Sequence, residues 1–146
     1  AFEERGVEKR YLGVLAGVPD ASEGTIELSL SKISSAEKGW RMIPAKKGKP
    51  SVTAWRVVAT HEGRALVEFR PATGRTHQIR VHAASGIGIA LVGDPVYGTK
   101  QGAPRTMLHA SALTVEREGK TDIAATSPLP ADFQALGFGG EGPDAP

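Results

Sequence analysis

The chain has 146 residues, 40% of them hydrophobic and 23% charged, with a net charge of +2 and no cysteine. That length makes one domain with enough residues for a core; no stretch nears the roughly 20 apolar residues that cross a bilayer, and without cysteine there is neither a disulfide nor a thiolate metal site. The small positive excess permits a polyanionic partner without arguing for one, and the composition fits a cytoplasmic protein.

In chain order, AFEERG (1–6) reads as the last turns of a helix closed by Gly6, as though the chain opened inside a longer one. VEKRYLGVLAG (7–17) reads as a strand entering the core, and Gly17-Val18-Pro19-Asp20 as a turn. GTIELSLSK (24–32) alternates strictly, with Ile26, Leu28 and Leu30 on one face, the pattern of a half-buried strand. Residues 34–50 carry turn signals and four lysines and read as an exposed loop. SVTAWRVVAT and RALVEFR flank HEG as a hairpin. A helix capped by the Thr76 hydroxyl is expected from there to Ser85, stopping at Gly86. IALVGDPVYGTK then reads as a connection, MLHASALTVE as a strand with TDIAATSP as a short partner, and PLPADFQALGF as the start of a last short helix. The folded part is taken as residues 1–136, with 137–146 a disordered tail. Strands outnumber helices and hairpins link them, so the fold class is α+β: a mixed, largely antiparallel, twisted sheet with a few short helices.

The densest polar equipment lies in RPATGRTHQIRVHAASG (70–86). On the expected helix Arg80 shares a face with Ala83 and Ala84, while Ile79, His82 and Ala83 lie on another. Arg80 then sits one turn in, able to point across the sheet, and its planar fork matches a carboxylate or a phosphate. Arg75 and His77, at the helix start beside free amides, suit phosphate contacts. Spacing alone favours a plainer reading, a solvated basic helix with His82 packed on the sheet. His77 and His82 are poorly placed to share a metal and lack a third ligand.

TGRTHQIRVH strongly resembles the third conserved motif of the RluA-type family of RNA pseudouridine synthases. In register with it, VEKRYLGVLAG is similar to the family's lysine–x–tyrosine strand, GDPVYG to the connection after the helix, MLHASAL to the next strand and SPLPADF to the closing segment. These separated matches keep their order over roughly residues 2–133. The resemblance implies isomerisation of uridine to pseudouridine in structured rRNA or tRNA, with no cofactor and no metal. The target base is flipped out of its helix, at a cost of a few kcal/mol, into a pocket with a stacking surface. It implies that the Tyr11 ring lies against the base, that Arg80 holds a catalytic aspartate ionised and oriented, and that Ile79 packs beside that pair and excludes water. Arg75, Thr76, His77 and Gln78 would shape the motif loop or meet the RNA backbone. Asp94, before a proline, reads as a turn former, and His109 as a hydrogen-bonded sheet histidine.

In the family the catalytic aspartate lies a few dozen residues ahead of the lysine–tyrosine strand, in a segment resembling His-Arg-Leu-Asp followed by Thr-Ser-Gly. None of the five aspartates here, Asp20, Asp94, Asp122, Asp132 and Asp144, has that context. The expectation is therefore the C-terminal half of a pseudouridine synthase catalytic domain, inactive by itself, with an exposed sheet edge that a homodimer or strand exchange would cover. The alternative is a non-catalytic RNA-binding module gripping through Arg75, Arg80 and the lysines of 38–49; a plain basic domain binding something else is disfavoured. Of the two tryptophans, Trp55 reads as core and Trp40 as the better candidate for base stacking.

Overall fold

The computed structural model describes residues 7–35, 39–99, 101–115, 123–126 and 130–138. Seven strands form one sheet: β1 (Val7–Leu15), β2 (Glu23–Ser35), β3 (Gly39–Pro44), β4 (Lys49–His61), β5 (Arg64–Pro71), β6 (Leu108–Val115) and β7 (Ile123–Thr126). Their order is β3-β2-β4-β5-β1-β6-β7. Every pairing among them is antiparallel, so the mixed sheet expected from the sequence is purely antiparallel among the described residues.

The twofold alternation of strand side chains decides what each face buries. Leu15 of β1, Ile26 of β2, Trp55 of β4 and Val67 and Phe69 of β5 gather on one face, under Ile79 and Ala83 of the helical segment. Leu12 and Val14 of β1 and Leu66 of β5 face the other way, against Met107, Phe133 and Phe138. β5 lies mid-sheet and is buried on both faces at Ala65, Leu66, Val67, Glu68 and Phe69. Each fully buried large side chain there contributes on the order of 1.5–3 kcal/mol. The β4–β5 hairpin turns through Glu62 and Gly63, both at positive φ (50° and 81°), the two-residue turn whose twist suits paired strands.

Four expectations are corrected. The loop foreseen over residues 34–50 contains β3, which pairs with β2 from Leu30↔Pro44 to Ser35↔Gly39. Only Met42 of β3 is buried, so its alternation is nearly silent in the sequence. The helix begins later than Thr76: α1 (Gln78–Val81) follows His77, which is left-handed (φ 55°) and makes no side-chain cap. It does not stop at Gly86 but widens into a π-helical turn, His82–Ile87, closed by left-handed Gly88, whose N–H donates to the Ala83 carbonyl. Gly86 instead allows close packing, since a Cβ there would run into Ile26. The short closing helix is α2 (Ala131–Ala135), and Phe138, assigned to the tail, is buried beyond it. The helix foreseen at 1–6 and the tail from residue 139 lie outside the described residues.

Candidate active site

A cleft of about 260 Å³ opens where β1 meets the segment between β5 and α1, and its lining includes Tyr11, Arg75, His77, Gln78, Ile79 and Arg80. Tyr11 reaches it from β1, paired with Phe69 on one side and Ala110 on the other. The β1–β6 register shifts between Arg10 and Tyr11, a bulge of the kind that re-aims a side chain. The Tyr11 ring packs along the apolar cluster of Phe69 and Ile79. Its hydroxyl has no hydrogen-bond partner among the described residues. Thr76, expected alongside the others, is not in this lining; it faces a neighbouring groove.

Arg80 is held from two sides. Its Nε donates to one Asp94 oxygen at 3.1 Å and its Nη2 to the other at 2.8 Å. Asp94 is fully buried and also accepts the amides of Val96 and Tyr97. The turn role foreseen for Asp94 is therefore present, and the ion pair with Arg80 is a second one the sequence did not reveal. Burial pushes the Asp94 carboxyl up, but the Arg80 hydrogen bond, the two amides and the Arg80 charge outweigh it and hold the group below the ordinary carboxylate range.

The third contact to Arg80 is His77 Nε2, 3.1 Å from Nη1. A guanidinium only donates, so Nε2 must accept, and the ring proton sits on Nδ1, which donates to the Tyr97 hydroxyl at 2.9 Å. Burial first, and then the Arg80 charge, lower the pKa of His77, in keeping with a neutral ring. Tyr97 also accepts the Met42 amide of β3 at 2.9 Å, and burial raises its pKa. The His77 ring stacks on Trp40 at 4.7 Å, so the indole that is the better candidate of the two for base stacking already has a protein neighbour. Asp94 and His77 engage three of the five Arg80 N–H donors, leaving two without an acceptor among the described residues.

Beneath the cleft a second polar chain ties α1 to β4. Val52 N–H donates to the Thr73 hydroxyl, which donates to Gln78 Oε1; the Gln78 amide donates to Thr53 Oγ1 at 2.8 Å. Ser51 donates to the Leu28 carbonyl, so its oxygen must accept from His82 Nε2 at 2.7 Å, leaving His82 Nδ1 to accept from Thr53 at 2.8 Å. Gln78 also accepts the Arg75 amide and donates to the Val52 carbonyl, so its side chain is fully committed to shaping the motif loop. His82 is completely buried, and burial lowers its pKa to about 4. His77 and His82 thus belong to separate networks.

Arg75 donates from Nε to the Pro50 carbonyl at 2.8 Å, fixing it at the rim. His109 departs from its expected role. Its ring lies edge-on to Phe133 at 6.3 Å on the opposite face, and its buried Nε2 has no partner among the described residues. A larger concavity of about 410 Å³ on that face includes Arg56, Glu68 and Arg70. Glu68 there is paired with Arg10, Arg56 and Arg70, so its charge is already answered.

Comparison with known proteins places these features in context. The pattern of the RNA pseudouridylate synthase family matches residues 1–85. An uncharacterized RNA pseudouridine synthase of Zymomonas mobilis is 51% identical over 140 residues, covering 94% of this chain and 64% of that protein. The dual-specificity RNA pseudouridine synthase RluA of Escherichia coli is 34% identical over 141 residues, covering 90% of this chain and 61% of RluA. The solved structure of human RNA pseudouridylate synthase domain containing 1 superposes with a TM-score of 0.70 at 30% identity, over 92% of this chain and 60% of the human one. The chain therefore spans under two thirds of the length of these relatives.

Proposed function

We propose that this chain, which belongs to the RluA-type family of RNA pseudouridine synthases, supplies two walls of the cleft in which a flipped uridine of RNA is isomerised. The observation that carries the reading is the meeting of Tyr11, Ile79 and Arg80 in one cleft. In this reading the Tyr11 ring offers the uracil a stacking surface, and its hydroxyl, without a hydrogen-bond partner among the described residues, helps to move the C5 proton. The two free Arg80 donors hold an approaching carboxylate ionised and oriented, since a neighbouring cation and charge-assisted hydrogen bonds both favour the charged form. Ile79 keeps water from that pair. The reaction detaches the uracil from C1′ of its ribose, turns it and rejoins it through C5, so the C5 proton must leave.

The carboxylate itself is not Asp94, which is buried and absent from the cleft lining. In our reading it comes from a segment bearing the family's aspartate motif, and the 146 residues alone do not turn over. The substrate is rRNA or tRNA and the compartment the cytoplasm. Self-association would use an edge strand, β3 or β7; light scattering showing only monomer would remove that part.

The test uses RNA carrying tritium at uridine C5. We expect no release with the chain alone, and release once a polypeptide with the aspartate motif is added, lost again in Arg80→Ala. Release by the chain alone overturns its dependence on an added carboxylate. RNA binding without release under either condition favours a non-catalytic RNA-binding module, the reading supported by the aspartates' contexts in this sequence.

A further inference from the structure

We propose that a lysine-lined groove beside the cleft holds the backbone of the RNA strand flanking the flipped uridine; the inference rests on the uridine reading above and adds to it the path of the strand. The groove is about 540 Å³ and shares Gly74 and Arg75 with the cleft, so the two hollows are separated only by the motif loop. Its lining contains Lys32 of β2, Lys47 in the turn before β4, Lys49 at the start of β4, and Arg75, with no carboxylate among them. Lys32, Lys47 and Lys49 form no ion pair among the described residues. Lys32 instead lies 4.6 Å from the centre of the Trp40 ring.

The backbone that carries these cations is fixed before any ligand arrives. Gly48 lets the Lys47–Lys49 turn press against β2, since a Cβ there would run into the Leu30 backbone. Its N–H donates to the Ala45 carbonyl at 2.9 Å, closing the turn. Arg75 is tethered through Nε to Pro50, which leaves its other donors for the groove or the cleft. Thr76, which caps nothing, adds an exposed hydroxyl to the same lining.

Comparison with the opposite face shows why cation count alone does not choose the surface. Arg10, Arg56 and Arg70 surround Glu68 there, and that shared carboxylate offsets part of their charge and fixes their direction. Among the described residues the groove has no such anion in its lining. Ammonium groups on flexible stems suit phosphates without demanding one geometry, and phosphate neutralisation supplies sequence-independent affinity. A strand that places one base in the cleft must continue past Arg75, and the groove is where its charge is answered. This continuity selects RNA over an acidic peptide.

The experiment measures binding of a short single-stranded, uridine-containing RNA to the chain as a function of salt, by fluorescence anisotropy. For the double variant Lys47→Ala/Lys49→Ala we expect weaker binding to every sequence and a salt slope shallower by about 1.4, from roughly 0.7 per lost single-strand phosphate contact. Lys32→Ala, on a different strand, should lower the slope by about half as much. Both sites are exposed, and unchanged thermal melting shows that the fold is intact. Arg56→Ala, on the opposite face, should leave the slope alone. An unchanged slope in the lysine variants overturns the groove while leaving the uridine cleft standing, provided the chain still binds RNA and Tyr11→Ala weakens its preference for uridine. No RNA binding by the parent chain overturns both. Equal competition by an acidic peptide of matched charge overturns the assignment to RNA.

Discussion

Two polar networks lie within a few residues of each other in the sequence and differ in kind. The chain through Thr73, Gln78, Thr53, His82 and Ser51 is closed, each hydroxyl and ring nitrogen passing its hydrogen to the next until it ends on the Leu28 carbonyl. The cluster around Arg80 is open, with Asp94 and His77 fixing the guanidinium while two donors find no acceptor among the described residues. A closed network holds structure and offers a ligand nothing. An open one whose spare donors sit on a cleft-lining residue is equipped to act. Histidine identity did not separate them, since His77 and His82 both belong to the same motif; the donors and acceptors around each ring did.

The largest test of that contrast is Arg80→Ala, which leaves the buried Asp94 carboxylate without its cation. We expect a loss of about 3–5 kcal/mol in urea unfolding, together with loss of any rescued isomerisation. A loss near zero would mean the open cluster carries no structural role.

The closed network should dominate the acid response. The folded pKa of His82, about 4, lies below the ordinary histidine value of 6.5, so the unfolded chain takes up the proton first. The resulting stability is complete above pH 6.5 and fades as pH falls through about 4, in total about 3 kcal/mol. His82→Gln should flatten unfolding free energy against pH across that window; an unchanged profile would place the acid sensitivity elsewhere. Asp94 and Glu68, both lowered, add a further loss below the ordinary carboxylate range.

Gln78→Leu orphans the Thr53–His82 end of the chain and frees the motif loop from β4, with an expected cost of about 1–3 kcal/mol by thermal or urea melting. Tyr11→Phe is the smallest in stability and the sharpest in function. It removes a hydroxyl with no hydrogen-bond partner among the described residues, so stability should stay within about 0.5 kcal/mol while rescued tritium release falls. If Tyr11→Phe destabilised as much as Gln78→Leu, the division between structural and functional polarity would fail.

The sequence disclosed much of this in unequal parts. Strict alternation gave β2, and β-rich runs across His61-Glu62-Gly63 gave the β4–β5 hairpin. The motif context singled out Tyr11, Ile79 and Arg80, which the fold brings to one cleft. β3 was missed because its single buried residue, Met42, leaves no period to detect, and its lysine-rich surroundings resemble a loop. The Thr76 cap failed because His77 takes the left-handed conformation and the local amides are met by Gln78 and by backbone carbonyls. Asp94 looked like a turn former because its contacts to Val96 and Tyr97 are local, whereas its Arg80 partner is 14 residues away.

By itself, then, the sequence determined the strands whose pattern is strong, such as β2 and the β4–β5 hairpin, and which motif residues resemble the family's, since these are set by near neighbours and by residue type. Only the tertiary structure decided that Arg80 meets Asp94, that Tyr97 bridges His77 to Met42 from 55 residues away, and that the lysines of one turn line a groove against the motif loop. Hydrogen bonds and charge pairs are decided within about 3 Å, and that proximity exists only once the sheet has brought distant segments together.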